Sequence, residues 1–313
     1  MNPAFSVIFL TTLTGAGQGL FLALYGAELG AAFELLTPQQ GQCFFAAGSA
    51  LSLAFLAAGL VASFFHLGHP ERAWRSAARW RTSWLSREVI ALPAFMAAVS
   101  AYGIAHYLGT GGTLIVGAVG ALLCFVLFIC TGMIYACIKF LQEWATPLTV
   151  INYILLGCAS GFTLAAAFTA TTCSALVTVF ANWAVAFTLA ALCTRAASLI
   201  RNSRLRPKSS LQTAIGIKHP RIVQKAQGFM GGSFNTREFF HGRGRSFLRA
   251  VKWAFLVLAF PVPAALLLAG AAMASGPLLG LAFVVQYLGL LAERWFFFAQ
   301  ANHPQNLYYQ AIC

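Results

Sequence analysis

One stretch, HLGHPERAWRSAARWRTSWLSRE (66–88), gathers chemistry that the rest of the chain lacks. Its 23 residues hold five arginines, two glutamates and two histidines, in a protein of which only 9% of residues are charged. The two ends are the informative positions. His66 carries an imidazole that titrates near neutrality, and Glu88 carries a carboxyl, a group that titrates closer to neutrality once withdrawn from water. Such a pair at one membrane boundary suits a quinone site, which needs a hydrogen-bonding group at each carbonyl and a way to move two protons. The arginines between them compensate Glu71 and Glu88 or contact a partner. A second reading of the same residues is an interfacial helix, with arginines reaching lipid headgroups and Trp74, Trp80 and Trp84 anchoring it.

These groups must be positioned by membrane helices. Hydrophobic residues make up 59% of the 313, mean hydropathy is +0.76, and there are 28 Phe. A soluble domain would be about 25% charged, and several runs here exceed the ~18 apolar residues of a spanning helix. Continuous apolar runs exclude a membrane β-barrel, whose strands alternate. The expected fold is an all-α polytopic bundle, a single membrane domain with eight transmembrane helices. The spans are about 6–29, 42–65, 88–108, 113–138, 147–170, 174–198, 250–273 and 276–300. The first lacks a basic leader region and a convincing cleavage site, so it reads as a retained helix. Short connections at 109–112, 171–173 and 275–276 make hairpins of the helices they join. The only long non-membrane segment, 199–249, is basic and weakly periodic, and reads as loop. There is no soluble domain and no tandem repeat. Pro147 falls at a helix start, and Pro93, Pro261 and Pro263 fall near helix ends.

Charge distribution orients the bundle. On eight spans all 20 Lys and Arg fall at one end: five between the second and third helices, Lys139, Arg195 and Arg294 near helix ends, and twelve between Arg201 and Lys252. The positive-inside rule makes that end cytoplasmic, with both termini inside. The basic loop suits topogenic charge, anionic lipid or the docking of a partner subunit. No nucleic-acid-binding motif is present, and the basic face adjoins the bilayer.

The eight cysteines form no C-x2-C pair, so a thiolate-held iron–sulfur cluster or metal is not expected in this chain. Cys130 and Cys137 lie seven apart on one helix and read as packing. The histidines do not pair at one depth as haem ligands would, so no haem is expected either.

The stretch 66–88 resembles the segment joining helices two and three in the membrane-anchor subunits of dimethyl sulfoxide reductase-type molybdoenzymes, with pattern HLG-x-P-x-R-A…S-x-L-S-x-E. GMIYACIKFLQEWATPLTVINYILLG (132–157) and AERWFFFAQANHPQNLYYQ (292–310) are similar to a bacterial branch of that family. The resemblance implies a three-subunit oxidoreductase of the bacterial inner membrane. A molybdopterin subunit does the catalysis, an iron–sulfur subunit relays electrons, and this chain, not an enzyme alone, binds ubiquinone or menaquinone. It also implies that His66 and Glu88 contact the quinone, with Arg72, Ser83 and Ser86 at the pocket or a partner contact, and with Arg75, Arg79 and Arg81 in docking. The best-known members place their catalytic subunits outside the cytoplasm, whereas the basic end carries the site here. That arrangement is similar to the cytoplasm-facing sulfite:quinone branch, in which the anchor reduces quinone. The alternatives are a quinol-oxidising anchor for S- or N-oxide reduction, a secondary transporter, which would show broken helices and midplane polar residues, and a purely structural anchor.

Overall fold

The computed structural model describes residues 1–36, 41–223, 225 and 239–307. Parts of two sequence expectations therefore lie outside the described residues: the middle of the basic loop (226–238) and the end of the 292–310 segment. All regular structure among the described residues is helical, and eight helical segments are long and apolar enough to cross a membrane. They are α1 (Phe5–Ala32), α2 (Gln42–Phe64), α3 (Trp84–Leu108), α4 (Thr113–Ala136), α5 (Pro147–Thr172), α6 (Val177–Ser203), the pair α8 (Arg245–Leu258) and α9 (Pro261–Ala272), and α10 (Gly276–Ala299). A 3-10 segment, Pro70–Arg79, links α2 to α3, and a short helix α7, Leu211–Ile215, interrupts the basic connection.

Helix ends follow local chemistry. Ser83 caps α3 by accepting from the Ser86 amide, and Thr146 caps α5 with Pro147 at the first helical position, where a missing N–H costs nothing. The tight α3–α4 turn uses Gly109 and Gly112, both at positive φ, which glycine tolerates.

α1 lies at the centre, against α2, α4, α5 and α10. Its closest approach is to α5, where Gly15 and Gly19 face Gly157 and Gly161. A Cβ on Gly19 or Gly161 would fall within the partner helix's backbone. Small residues four apart let membrane helices pack at backbone distance, where dispersion rather than a hydrophobic drive holds them. The same joint admits polar side chains. Asn152 of α5 donates to Ser198 of α6 at 2.8 Å and accepts from Thr194 at 2.8 Å.

Two elements differ from the sequence reading. The seventh span is broken at Ala259–Phe260, halfway along Arg245–Ala272, so Pro261 begins a second helix rather than standing near the end of a continuous one. Pro lacks the N–H that would continue the ladder. The Gln286 amide of α10 donates to the Ala259 carbonyl at 3.4 Å and to Thr188 Oγ1 at 3.0 Å, and Gly289 leaves room for the Leu258–Ala259 backbone. The break is thus closed by protein. The loop expected from residue 199 begins later, because α6 runs to Ser203. It also contains α7, which Ser210 and Thr213 stabilise by reciprocal capping.

Candidate functional site

Connectivity puts the starts of α3 and α5 at the same end of the bundle as the final turns of α4, α6 and α10. Contacts across the connections hold that end together. The Trp144 indole donates to the Phe297 carbonyl at 2.9 Å, and Arg201 and Asn202 donate to the Gln142 and Glu143 carbonyls. At 1.5 Å per residue, Glu88, Thr131, Tyr153, Glu293 and Arg195 lie about 6 to 12 Å inside their helices. They form a polar layer just within the basic end.

Glu88 sits one turn into α3, partly buried, and accepts a hydrogen bond from Thr131 Oγ1 of α4 at 2.5 Å. On the other side of the layer Glu293 is 1% exposed. Its carboxylate lies 2.7 Å from Arg195 Nε and 3.4 Å from Arg294 Nη1. The Arg294 guanidinium stands over the Tyr153 ring, 3.7 Å from its centroid, and Arg195 faces Phe255. Charges so deep persist only when paired, and cation–π contact adds to that pairing. Tyr135 stacks on Tyr153 with ring centroids 5.7 Å apart.

A second buried carboxylate occupies the opposite end. Glu28 of α1 accepts from Tyr102 at 2.7 Å and from Thr113 at 2.5 Å, and lies 3.4 Å from His106 Nε2. His106 is itself stacked on Phe45.

The stretch from His66 to Glu88 divides. His66 follows α2 as an exposed residue whose neighbours strip part of its water, pushing its imidazole below the ordinary histidine value. Among the described residues no hydrogen bond or ion pair joins His66 to Glu88. Arg72 lies exposed, 3.7 Å from Glu71, which also pairs with His69 at 3.0 Å. Arg75 and Arg81 stack on Trp74 and Trp80. Arg79 is exposed at the end of the 3-10 segment. Ser83 serves as the α3 cap, and Ser86 is buried in its first turn. Arg87 turns back to donate to the Trp80 and Arg81 carbonyls at 2.9 Å each, and packs over Trp84. This fastens the connection to α3.

The sequence reading missed the Arg195–Glu293–Arg294 cluster, Thr131, Tyr153 and the Glu28 cluster. It assigned Arg195 to the end of the sixth span, whereas α6 continues eight residues past it. The usable signal was a carboxylate and two arginines inside apolar runs, since intramembrane charges imply partners. Nothing in the spacing pointed to Thr131 as the partner of Glu88.

The whole arrangement, eight spans with a carboxylate one turn inside α3 after an Arg-rich connection, can be set beside known proteins. Residues 1–299 match the model of the family described as DMSO reductase anchor subunit (DmsC). The chain belongs to the DMSO reductase anchor family. It is also 56% identical over 325 residues to a sulfite dehydrogenase subunit from Allochromatium vinosum, covering 100% of both chains, which places it in the sulfite branch. As a DMSO reductase anchor it is a multi-pass membrane subunit of an oxidoreductase complex, and the family implies catalytic and electron-transfer partners and interaction with quinone.

Proposed function

We propose that this anchor binds quinone where α3 begins and reduces it with electrons from an iron–sulfur subunit, during sulfite oxidation by a molybdopterin subunit on the cytoplasmic side of a bacterial inner membrane. The observation that carries the site is Glu88. It is the carboxylate at the basic end with a single hydrogen-bond donor, Thr131, whereas Glu293 is held by two arginines. The donor set fits a quinone: a hydroxyl at Thr131, an imidazole at His66 that stays neutral at pH 7, and a carboxyl that exchanges protons. Bound quinone accepts two electrons and two protons. His66 and Glu88 orient its carbonyls and supply protons, while the Trp- and Arg-bearing 3-10 segment separates the site from bulk water.

The exposed Arg75, Arg79 and Arg81 suit docking of the iron–sulfur subunit, because stacking on Trp fixes guanidinium planes for carboxylate partners. The sulfite assignment is supported by the name of the Allochromatium vinosum relative and by the basic end facing inward under the positive-inside rule. The family description favours a second reading, in which quinol is oxidised to reduce an S- or N-oxide. Transport is disfavoured because Gln286 and Gly289 fill the break in the seventh span.

The test is sulfite-linked and quinol-linked turnover of the intact complex with wild-type, His66→Ala and Glu88→Gln anchors. Loss of quinone turnover in both variants, with the catalytic subunit still oxidising sulfite with an artificial acceptor, supports the reading. Wild-type quinone kinetics in both variants refute it.

A further inference from the structure

Between Glu88 and the Glu293 cluster lies a cavity of about 10 Å³, where α1, α4, α5 and α10 converge. Its polar lining comes from Thr11, Gln18, Thr131, Tyr153, Ser160 and Arg294. That volume is on the order of one water molecule, and a site with several polar partners is the kind a buried water occupies. The lining contains an unsatisfied group. Tyr153 is 3% exposed, yet its hydroxyl makes no hydrogen bond of good geometry. The Tyr135 hydroxyl lies near it, but out of alignment. A buried hydroxyl left unpaired costs about 1–3 kcal/mol, so the site favours a molecule that can satisfy it. Most other polar groups of the lining are already committed: Gln18 donates to the Cys124 carbonyl, and Thr11 and Ser160 bond to carbonyls of their own helices.

The donor directions all run one way. Arg294 has only N–H donors and keeps its proton. Thr131 spends its own proton on Glu88, so toward the cavity its oxygen offers only lone pairs. A water placed here accepts from Tyr153 or Arg294 and donates to Thr131. The result is a chain of hydrogen bonds polarised toward Glu88. The charges agree with that direction: the layer holds two guanidiniums, Arg195 and Arg294, and two carboxylates, Glu293 and Glu88.

We infer that this cavity holds one structural water, through which Tyr153 and Arg294 orient the Thr131 hydroxyl onto Glu88, so that Tyr153, Thr131 and Arg294 are positioning residues for the quinone chemistry. The water and its partners touch no quinone; they hold the Glu88 carboxyl in one orientation. The remaining ionisable neighbours on the packed helices are Arg87 on α3, Cys130 and Tyr135 on α4, and Glu293 on α10.

This inference rests on the proposed quinone site, and the test separates the two. Quinone turnover by the intact complex in lipid nanodiscs is measured for Tyr153→Phe, Thr131→Val, Thr131→Ser and Glu88→Gln. Infrared difference spectra of wild type in ordinary and ¹⁸O-labelled water look for the internal water. Tyr153→Phe and Thr131→Val are expected to lower kcat about tenfold, the equivalent of one lost hydrogen bond, with KM for quinone unchanged. Thr131→Ser restores the rate, and the ¹⁸O-sensitive water band present in wild type disappears in Tyr153→Phe. Wild-type kcat in Tyr153→Phe and Thr131→Val, with Glu88→Gln inactive, overturns the water chain and leaves the quinone site standing. Wild-type turnover in Glu88→Gln overturns both. If the two hydroxyl variants fail to assemble, the absence of an ¹⁸O-sensitive band in wild type overturns the inference.

Discussion

The two ends of the bundle each bury a glutamate, and they treat it differently. Glu28 meets Tyr102, Thr113 and His106, contributed by α3 and α4. Glu88 meets Thr131 alone and stands next to a connection rich in arginine and tryptophan. A carboxylate with its acceptor capacity filled locks helices together, because any rearrangement leaves several buried groups unpaired. One with spare capacity can change partners, which proton exchange with a ligand requires. Equal burial therefore does not mean equal role, and the number of donors around the carboxylate separates a joint from a reactive group.

The comparison breaks most sharply on paired substitutions. Glu88→Gln is expected to reduce quinone turnover by about 10²- to 10⁴-fold, the usual range for a lost acid–base group. Glu28→Gln should leave turnover within about twofold while lowering thermal stability. Steady-state kinetics and melting curves of the purified complex measure both, and a Glu28→Gln variant as inactive as Glu88→Gln would erase the distinction.

The Glu293 cluster sharpens the same contrast from the side of stability. Arg195→Met leaves Glu293 with one cation in a dry interior and should destabilise the anchor by about 3–5 kcal/mol, the range for breaking a buried pair. Arg195→Met with Glu293→Leu should recover much of that loss. Yield of assembled complex and melting temperature report it; equal stability of the single and double variants would mean that the pair is not coupled.

A smaller effect is expected from pH. The His66 imidazole is pushed down by loss of hydration, so the folded protein takes the proton less readily than the unfolded chain. Stability contributed at this position is full above the ordinary histidine value of about 6.5 and is lost as pH falls through it toward the lower folded value. The quinone KM should rise over the same window as the imidazole loses its acceptor nitrogen, and His66→Gln should flatten both profiles. A KM that keeps its acid limb in His66→Gln would assign the titration elsewhere.

The smallest change belongs to the exposed arginines. Replacing Arg75, Arg79 and Arg81 together by Gln should weaken docking of the electron-transfer subunit and reduce its salt dependence, without altering the melting temperature of the anchor. Exposed pairs are worth about 0–1 kcal/mol each. Pull-down of the complex at increasing salt measures this.

The polar interior was unevenly legible. Glu88 and the arginines before it stood out because they interrupt apolar sequence, and an ionisable residue at a helix start is visible without coordinates. Arg195 and Arg294 were equally visible, but near span ends they passed for boundary charges. Only the length of α6 and the pairing with Glu293 showed them to be interior. Gln286 looked like a scattered polar residue until the break at Ala259 supplied the carbonyl it satisfies.

The sequence alone determined the eight spans and the concentration of basic residues at one end, because hydrophobic length and Lys/Arg placement are local properties that the bilayer reads directly. Tertiary structure decided which polar groups meet. Thr131 reaches Glu88, Tyr153 reaches Arg294, and Glu293 reaches Arg195 across 43, 141 and 98 residues of chain. Those meetings depend on helix rotation and close packing, which small residues such as Gly19 and Gly161 set in three dimensions.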